Sequence, residues 1–162
     1  MLTRPTTPQL PAVFTRWFAS RDWAPRAHQL ELLAKAHAGR SALLIAPTGA
    51  GKTLAGFLPS LVELSPSAGQ ERDAPKLLST GRGIRRTGGL HTLYISPLKA
   101  LAVDIARNLE RPVAEMKLPI RIETRTGDTP ASKRQRQRRD PPDILLTTPE
   151  QLALLLASAD AP

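Results

Sequence analysis

Four short apolar segments punctuate the chain, and helical periodicity fills the intervals between them. Ala42-Leu43-Leu44-Ile45, Leu90–Ile95, the alternating Pro119–Thr124 and Pro142–Thr147 predict strands. From Ala12 to Ser20, the recurrence of Val13, Trp17 and Phe18 predicts a short amphipathic helix. A second helix follows Pro25, which suits a first helical turn, and continues through Leu30, Leu32, Leu33 and Ala36 to a C-terminal cap at Gly39. A third runs from Lys52 through Val62 or Leu64. A fourth faces its core with Leu98, Leu101, Ala102, Ile105 and Leu109, and a last one covers Leu152–Leu156. Residues 1–11, with Pro5, Pro8 and Pro11, read as an irregular lead-in. Residues 65–89, rich in glycine and charge, exceed the usual length of a connection and predict an exposed insertion. Strands alternating with helices predict an α/β domain with a mainly parallel sheet.

The strand ends carry the chemistry. In an open parallel sheet, ligands bind outside the carboxyl ends of the strands, so the loops at Thr48, Ser96 and Thr148 are expected on one rim. At the second, Ser96 is expected to cap a helix with Pro97 at its first position. At the last, Thr148-Pro149-Glu150-Gln151 reads as a capping box. Arg125–Pro130 reads as a loop leading to another capped start. The first loop is the most informative. Ala46-Pro47-Thr48-Gly49-Ala50-Gly51-Lys52-Thr53 matches the phosphate-loop pattern G-x-x-x-x-G-K-(S/T), with Ala46 where the first glycine would stand. Its glycines allow close backbone approach, and amides at a helix start attract phosphate oxygens. Lys52 is expected to reach the β- and γ-phosphates and the Thr53 hydroxyl to ligate Mg²⁺. An ordinary turn bearing a surface lysine is the competing reading, and the flanking strand and helix argue against it.

Composition narrows the field. At 162 residues the chain matches one domain, and 41% apolar content suits a globular protein. There are no cysteines and only three scattered histidines, so disulfides and cysteine-ligated metal sites are excluded within this span. No apolar run approaches the roughly 18 residues of a membrane helix, and the Pro- and Thr-rich N-terminus lacks a signal-peptide core. A cytoplasmic protein without a membrane partner is expected. The formal net charge of +9 favours a polyanionic partner. About half of it lies in one acid-free run, Lys133, Arg134, Arg136, Arg138 and Arg139. That run is open between a solvated face and a set of salt-sensitive phosphate contacts. Arg82, Arg85 and Arg86 read first as part of a solvated loop.

Taken together, these motifs resemble the first part of the N-terminal RecA-like motor domain of superfamily 2 helicases, a P-loop NTPase fold of three layers. Gln29 with Pro25 resembles the Q motif, residues 46–53 motif I, Ser96–Ala102 motif Ia, Thr126-Gly127-Asp128 the glycine-containing motif that follows, and Thr147–Leu152 motif Ib. Leu93–Ala102 and Arg125–Thr129 are similar to the large-helicase-related (Lhr) group of DExH-box helicases. Ala102–Leu109 is similar to its bacterial ligase-associated branch. The likeness spans about residues 12–157. It implies ATP and Mg²⁺ as cofactors, held by Arg26, Gln29, Pro47, Thr48, Gly49, Ala50, Gly51, Lys52 and Thr53, with Gln29 on the adenine. It implies strand-backbone contacts from Ser96, Pro97, Leu98, Lys99, Thr126, Gly127, Asp128, Thr148, Pro149 and Glu150. The implied partner is single-stranded DNA, or a duplex with a tail, with RNA left open. The implied activity is 3′-to-5′ translocation and unwinding in DNA repair.

The family also needs a D-E-x-H motif, whose carboxylates orient Mg²⁺ and the attacking water. No Asp-Glu pair occurs in the sequence. The sheet is therefore expected to be incomplete on its C-terminal side, a second RecA-like domain is expected in the full-length protein, and the chain alone is expected to bind nucleotide with essentially no hydrolysis. Two alternatives stand beside this reading: another P-loop NTPase, and a non-catalytic nucleic-acid-binding module.

Overall fold

The computed structural model describes residues 10–66 and 89–157. The lead-in before residue 10 and most of the expected insertion, with Arg82, Arg85 and Arg86, lie outside the described residues. The chain divides into two compact units.

The first unit is helical: α1 (Ala12–Ala19), α2 (Ala27–His37) and α3 (Lys52–Glu63). Helix α1 buries Phe14, Trp17 and Phe18, the i, i+3, i+4 stripe of one helical face. Val13, expected in that stripe, is only half-buried. Helix α2 packs on α3, and Leu33, Leu58 and Leu61 are fully buried. Gly39 ends α2 as expected. It takes a left-handed φ of 64°, its amide donates to Ala36 O (2.8 Å) and the next amide, from Arg40, donates to Lys35 O (2.9 Å). Those two bonds close a Schellman cap. Pro25 lies outside α2, because Arg26 is the N-cap residue and holds an extended conformation.

The apolar run Ala42–Ile45 departs from expectation. Among the described residues it belongs to no strand, and Leu43 and Ile45 are 85% and 86% exposed. A strand requires a neighbour to take its amides and carbonyls, and apolar sequence alone does not supply one. The sheet accordingly has three strands, not four.

The second unit contains that sheet, formed by β1 (Thr92–Ile95), β2 (Ile122–Arg125) and β3 (Ile144–Thr147), with α4 (Lys99–Glu115), α5 (Ala131–Arg139) and α6 (Pro149–Leu156). The order is β1-β3-β2 and both pairings are parallel. Central β3 is buried at all four positions, as a strand covered on both faces must be. Helix α4 packs across β2 and β3 and buries Ala102, Ile105, Ala106, Leu109 and Val113. Leu98 and Leu101, expected in this stripe, are 63% and 40% exposed. The cause lies at the helix start. Ser96 is still held in the ladder, its amide donating to Thr147 O at 2.9 Å, so the chain cannot turn into a helix at Pro97. Leu98 is the N-cap instead and Lys99 the first helical residue.

Helix α5 holds the basic run and buries one side chain, Gln137. What fixes it is polar. Buried Glu123 of β2 accepts from Arg136 Nη2 (2.7 Å) and Gln137 Nε2 (2.8 Å). Arg136 thus has a structural partner and is not simply a solvated charge. Among the described residues no helix is long and apolar enough to cross a membrane.

Candidate functional site

The head of α3 shapes the first cluster. Gly49 and Gly51 take φ of 81° and 73°, a left-handed region that side-chain-bearing residues avoid. Gly51 is the N-cap of α3. From the first helical position, Lys52 sends its ammonium back into the loop, donating to Ala46 O (2.7 Å) and Pro47 O (2.8 Å). The loop therefore wraps a cation at a helix N-terminus, and Thr53 stands exposed beside it. Two sources of positive potential meet there, the ammonium and the free amides of the first turn.

Gln29 ties α2 to this loop. Only 3% exposed, it accepts from the Arg26 amide through Oε1 (2.9 Å) and reaches Gly51 O with Nε2 (3.5 Å). A methyl group at position 51 would lie 3.1 Å from that Nε2, so a side chain there would strain the left-handed backbone and press on Gln29. An amide offers two N–H donors and two acceptor lone pairs; one of each is used here, leaving one of each for a ligand. Arg26, Gln29, Gly49 and Gly51 line a cavity of about 540 Å³ together with Trp23 and Leu54, within the range of small-ligand pockets.

Trp23 is the residue that sequence reasoning missed. It is 57% exposed, meets Trp17 edge-on with ring centroids 6.0 Å apart, and has the Arg21 guanidinium 5.6 Å from its centroid. Asp22, at φ 53°, and the Trp23 amide bond to Phe18 O (3.0 Å) form the turn that presents it. The signal was available: a tryptophan in a short Pro-containing loop six positions before Gln29.

The second cluster lies on the carboxyl rim of the sheet. Parallel register sets Ile95, Arg125 and Thr147 side by side, so the loops after β1, β2 and β3 emerge together. This rim consists of the Ser96, Gly127 and Thr148 loops. The Thr48 loop, expected here, follows no strand of this sheet. Buried Ser96 exchanges bonds with Leu98, its Oγ donating to Leu98 O (3.1 Å) and accepting from Leu98 N (3.4 Å). Thr126 to Thr129 forms a tight turn, with the Thr129 amide on Thr126 O (3.1 Å) and the Thr126 amide on Thr129 Oγ1 (2.9 Å). Gly127 is exposed at its tip, with open space around its α-carbon. Lys99 and Asp128 are brought together as an exposed ion pair at 2.7 Å, beside a groove of about 320 Å³ that also touches Arg107 and Thr126. Such a surface pair contributes about 0–1 kcal/mol, so an incoming phosphate can take over the lysine readily.

At the third loop, Thr148 is the N-cap of α6 and Pro149 its first residue. The expected capping box is not formed. Thr148 makes no side-chain cap bond; its hydroxyl bonds the Glu150 carboxylate. Glu150's own backbone amide, and after it that hydroxyl, hold the carboxyl below the ordinary range. A depressed carboxyl stabilises the folded state above its unfolded pKa, and that contribution is lost as pH falls through the folded value. Thr148→Val is expected to raise the Glu150 pKa toward the ordinary carboxylate value, read by NMR titration of the side-chain carboxyl; an unmoved value would contradict the contact.

The DEAD/DEAH box helicase family profile matches residues 26–161. The chain is 43% identical to Lhr helicase/uracil glycosylase of Escherichia coli (strain K12), over 92% of its own length and 10% of that protein's. It is 41% identical to ATP-dependent helicase Lhr-Core of Methanothermobacter thermautotrophicus, over 75% and 14% of the respective lengths. The structure of Mycobacterium smegmatis helicase Lhr bound to ssDNA and AMP-PNP superposes with a TM-score of 0.75 at 35% identity, covering 93% of this chain and 18% of that one. The chain thus spans about a tenth to a seventh of the curated relatives named here. With the family profile covering most of its residues and the Lhr proteins aligned along it, the chain belongs to the DEAD/DEAH box helicases, in the Lhr group.

Proposed function

We propose that this chain is the ATP- and nucleic-acid-gripping part of an ATP-dependent DNA helicase or translocase moving 3′ to 5′. The observation that carries the reading is the Lys52 ammonium enclosed by the 46–51 loop at the head of α3, with Gln29 behind it. Lys52 would turn from the Ala46 and Pro47 carbonyls to hold the phosphates of ATP, and the loop amides would complete the cradle. Thr53, exposed in the first helical turn, fits the part of a Mg²⁺ ligand, because that ion takes few protein groups and fills its shell with phosphate oxygens and water. Bound Mg²⁺ would neutralise phosphate charge. Trp23 supplies an aromatic surface for the base, and the unused donor and acceptor of Gln29 supply its hydrogen bonds.

On the rim, Ser96, Pro97, Leu98, Lys99, Thr126, Gly127, Asp128, Thr148, Pro149 and Glu150 are proposed to follow the sugar–phosphate backbone of one strand. Helix starts and loop amides read phosphates and not base edges, which gives binding without sequence preference. Support comes from the rim's geometry and from the Lhr relative that was captured with ssDNA and AMP-PNP. A repair setting is proposed on the resemblance of Leu93–Ala102 and Arg125–Thr129 alone. Hydrolysis is assigned to a D-E-x-H element that the sequence does not contain, so the chain alone binds without appreciable turnover.

Lys99→Ala tests the rim. Fluorescence anisotropy with a labelled single-stranded oligonucleotide is expected to show affinity falling about fivefold to tenfold, with the slope of log K against log salt reduced by about 0.7. Equal affinity and slope in the variant would remove Lys99 from the strand path.

A further inference from the structure

Arg125, the last residue of β2, is only 5% exposed, yet among the described residues no carboxylate pairs with it. Its one hydrogen bond runs from Nη1 to Arg134 O at 3.5 Å, at the limit of such a bond. Its buried Nε has no acceptor at all. The acid on the same strand face, Glu123, is already engaged by Arg136 and Gln137 and lies 3.8 Å from the Arg121 guanidinium. Glu123 is thus heavily served, while Arg125, two residues on, has one long bond and no anion. Burial, and after it the nearby Arg138 and Arg134, push the Arg125 pKa down. A buried guanidinium without an anion is expensive for the fold, and removing one partner of a pair costs far more than an exposed charge does.

We propose that Arg125, flanked by Arg134, forms an anion recess at the end of β2 whose ligand is a phosphate group, either a phosphodiester of the bound strand or a free phosphate ion. A guanidinium presents a planar fork that matches two phosphate oxygens. Arg125 directly precedes the Thr126–Thr129 turn of the rim, where exposed Gly127 leaves space for a backbone. The basic run of α5 therefore divides. Arg136 is bound to Glu123, whereas Arg134 gives its backbone carbonyl to Arg125. Gln137 Oε1 is also buried without a donor, so a trapped water is the competing occupant, and such a water is indifferent to phosphate.

The experiment uses the 162-residue chain and two variants, Arg125→Met and Arg134→Gln. Thermal unfolding is followed in phosphate against chloride at matched ionic strength, and oligonucleotide affinity by anisotropy. Phosphate strengthens most folds slightly, so the readout is the difference between wild type and variant. Wild type is expected to gain about 4 °C more from phosphate than Arg125→Met does. If the ligand is a phosphodiester, Arg125→Met also weakens oligonucleotide binding by about tenfold or more. If affinity is unchanged while the phosphate difference persists, the recess takes free phosphate. Phosphate gains and affinities equal to wild type overturn the proposal, and if Lys99→Ala still weakens binding in that case, the strand path on the rim stands without the recess. Met removes an uncompensated buried charge at similar volume, so the variant is expected to fold at least as stably as wild type. Should it not fold, Arg134→Gln decides, and a phosphate response and affinity like wild type's in that variant count against the recess.

Discussion

Lys52→Ala is expected to lower ATP affinity about a hundredfold while leaving the fold intact. The ammonium is the one cation enclosed by the 46–51 loop among the described residues, with partners at 2.7 and 2.8 Å, and phosphate oxygens would inherit both bonds. Hydrogen bonds to a charged group contribute about 1.5–3 kcal/mol each, and every 1.4 kcal/mol is about tenfold in affinity. Losing two such bonds accounts for the expected effect. Stability should fall by no more than about 1–2 kcal/mol, since the two carbonyl bonds lost are made at an exposed site and alanine is the best helix former. Titration with a fluorescent ATP analogue, alongside thermal unfolding, checks both halves. Wild-type affinity in Lys52→Ala would place the nucleotide elsewhere.

The largest stability effect is expected at the sheet's centre. Leu146 is fully buried in β3, with Tyr94 and Thr124 as register partners on its two sides. Truncating a buried leucine to alanine costs about 2–5 kcal/mol, a large share of the 5–15 kcal/mol typical of a domain. Leu146→Ala should therefore shift the denaturation midpoint strongly and weaken the rim, whose three loops depend on the register. Leu154→Ala, at a site 60% exposed in α6, should stay within about 0.5 kcal/mol. Equal effects of the two in denaturant titrations would contradict the core described here.

Much of the architecture was legible because it follows from local patterning. The three strands that form are short and apolar or alternating, the Gly39 cap needs only one residue with positive φ, and the phosphate loop is fixed by spacing. What was not legible depends on partners distant in sequence. Ala42–Ile45 has a strand's composition and no neighbour to pair with. The Ser96 helix starts later than its Ser-Pro pattern suggests, because Thr147, about fifty positions on, still holds the Ser96 amide. Thr148 bonds Glu150 and makes no cap bond, so the capping box is absent despite a matching sequence. The basic run of α5 was ambiguous for the same reason: only the fold shows that Arg136 meets Glu123, 13 positions earlier. At the candidate site, Gln29 was singled out by its spacing from Pro25, whereas Trp23 passed as one more loop residue, although both line the same cavity.

In the proposed function one chain holds ATP at the α3 head and a nucleic-acid strand on the sheet rim. Backbone amide NMR of the ¹⁵N-labelled chain, titrated first with Mg²⁺·AMP-PNP and then with a single-stranded oligonucleotide, separates the two sites. Nucleotide-dependent shifts are expected at Gln29 and Gly49–Thr53, and strand-dependent shifts at Leu98, Lys99, Thr126–Asp128 and Glu150, as that two-site function requires. Nucleotide shifts absent from Gly49–Thr53, or strand shifts that bypass all three rim loops, would contradict it.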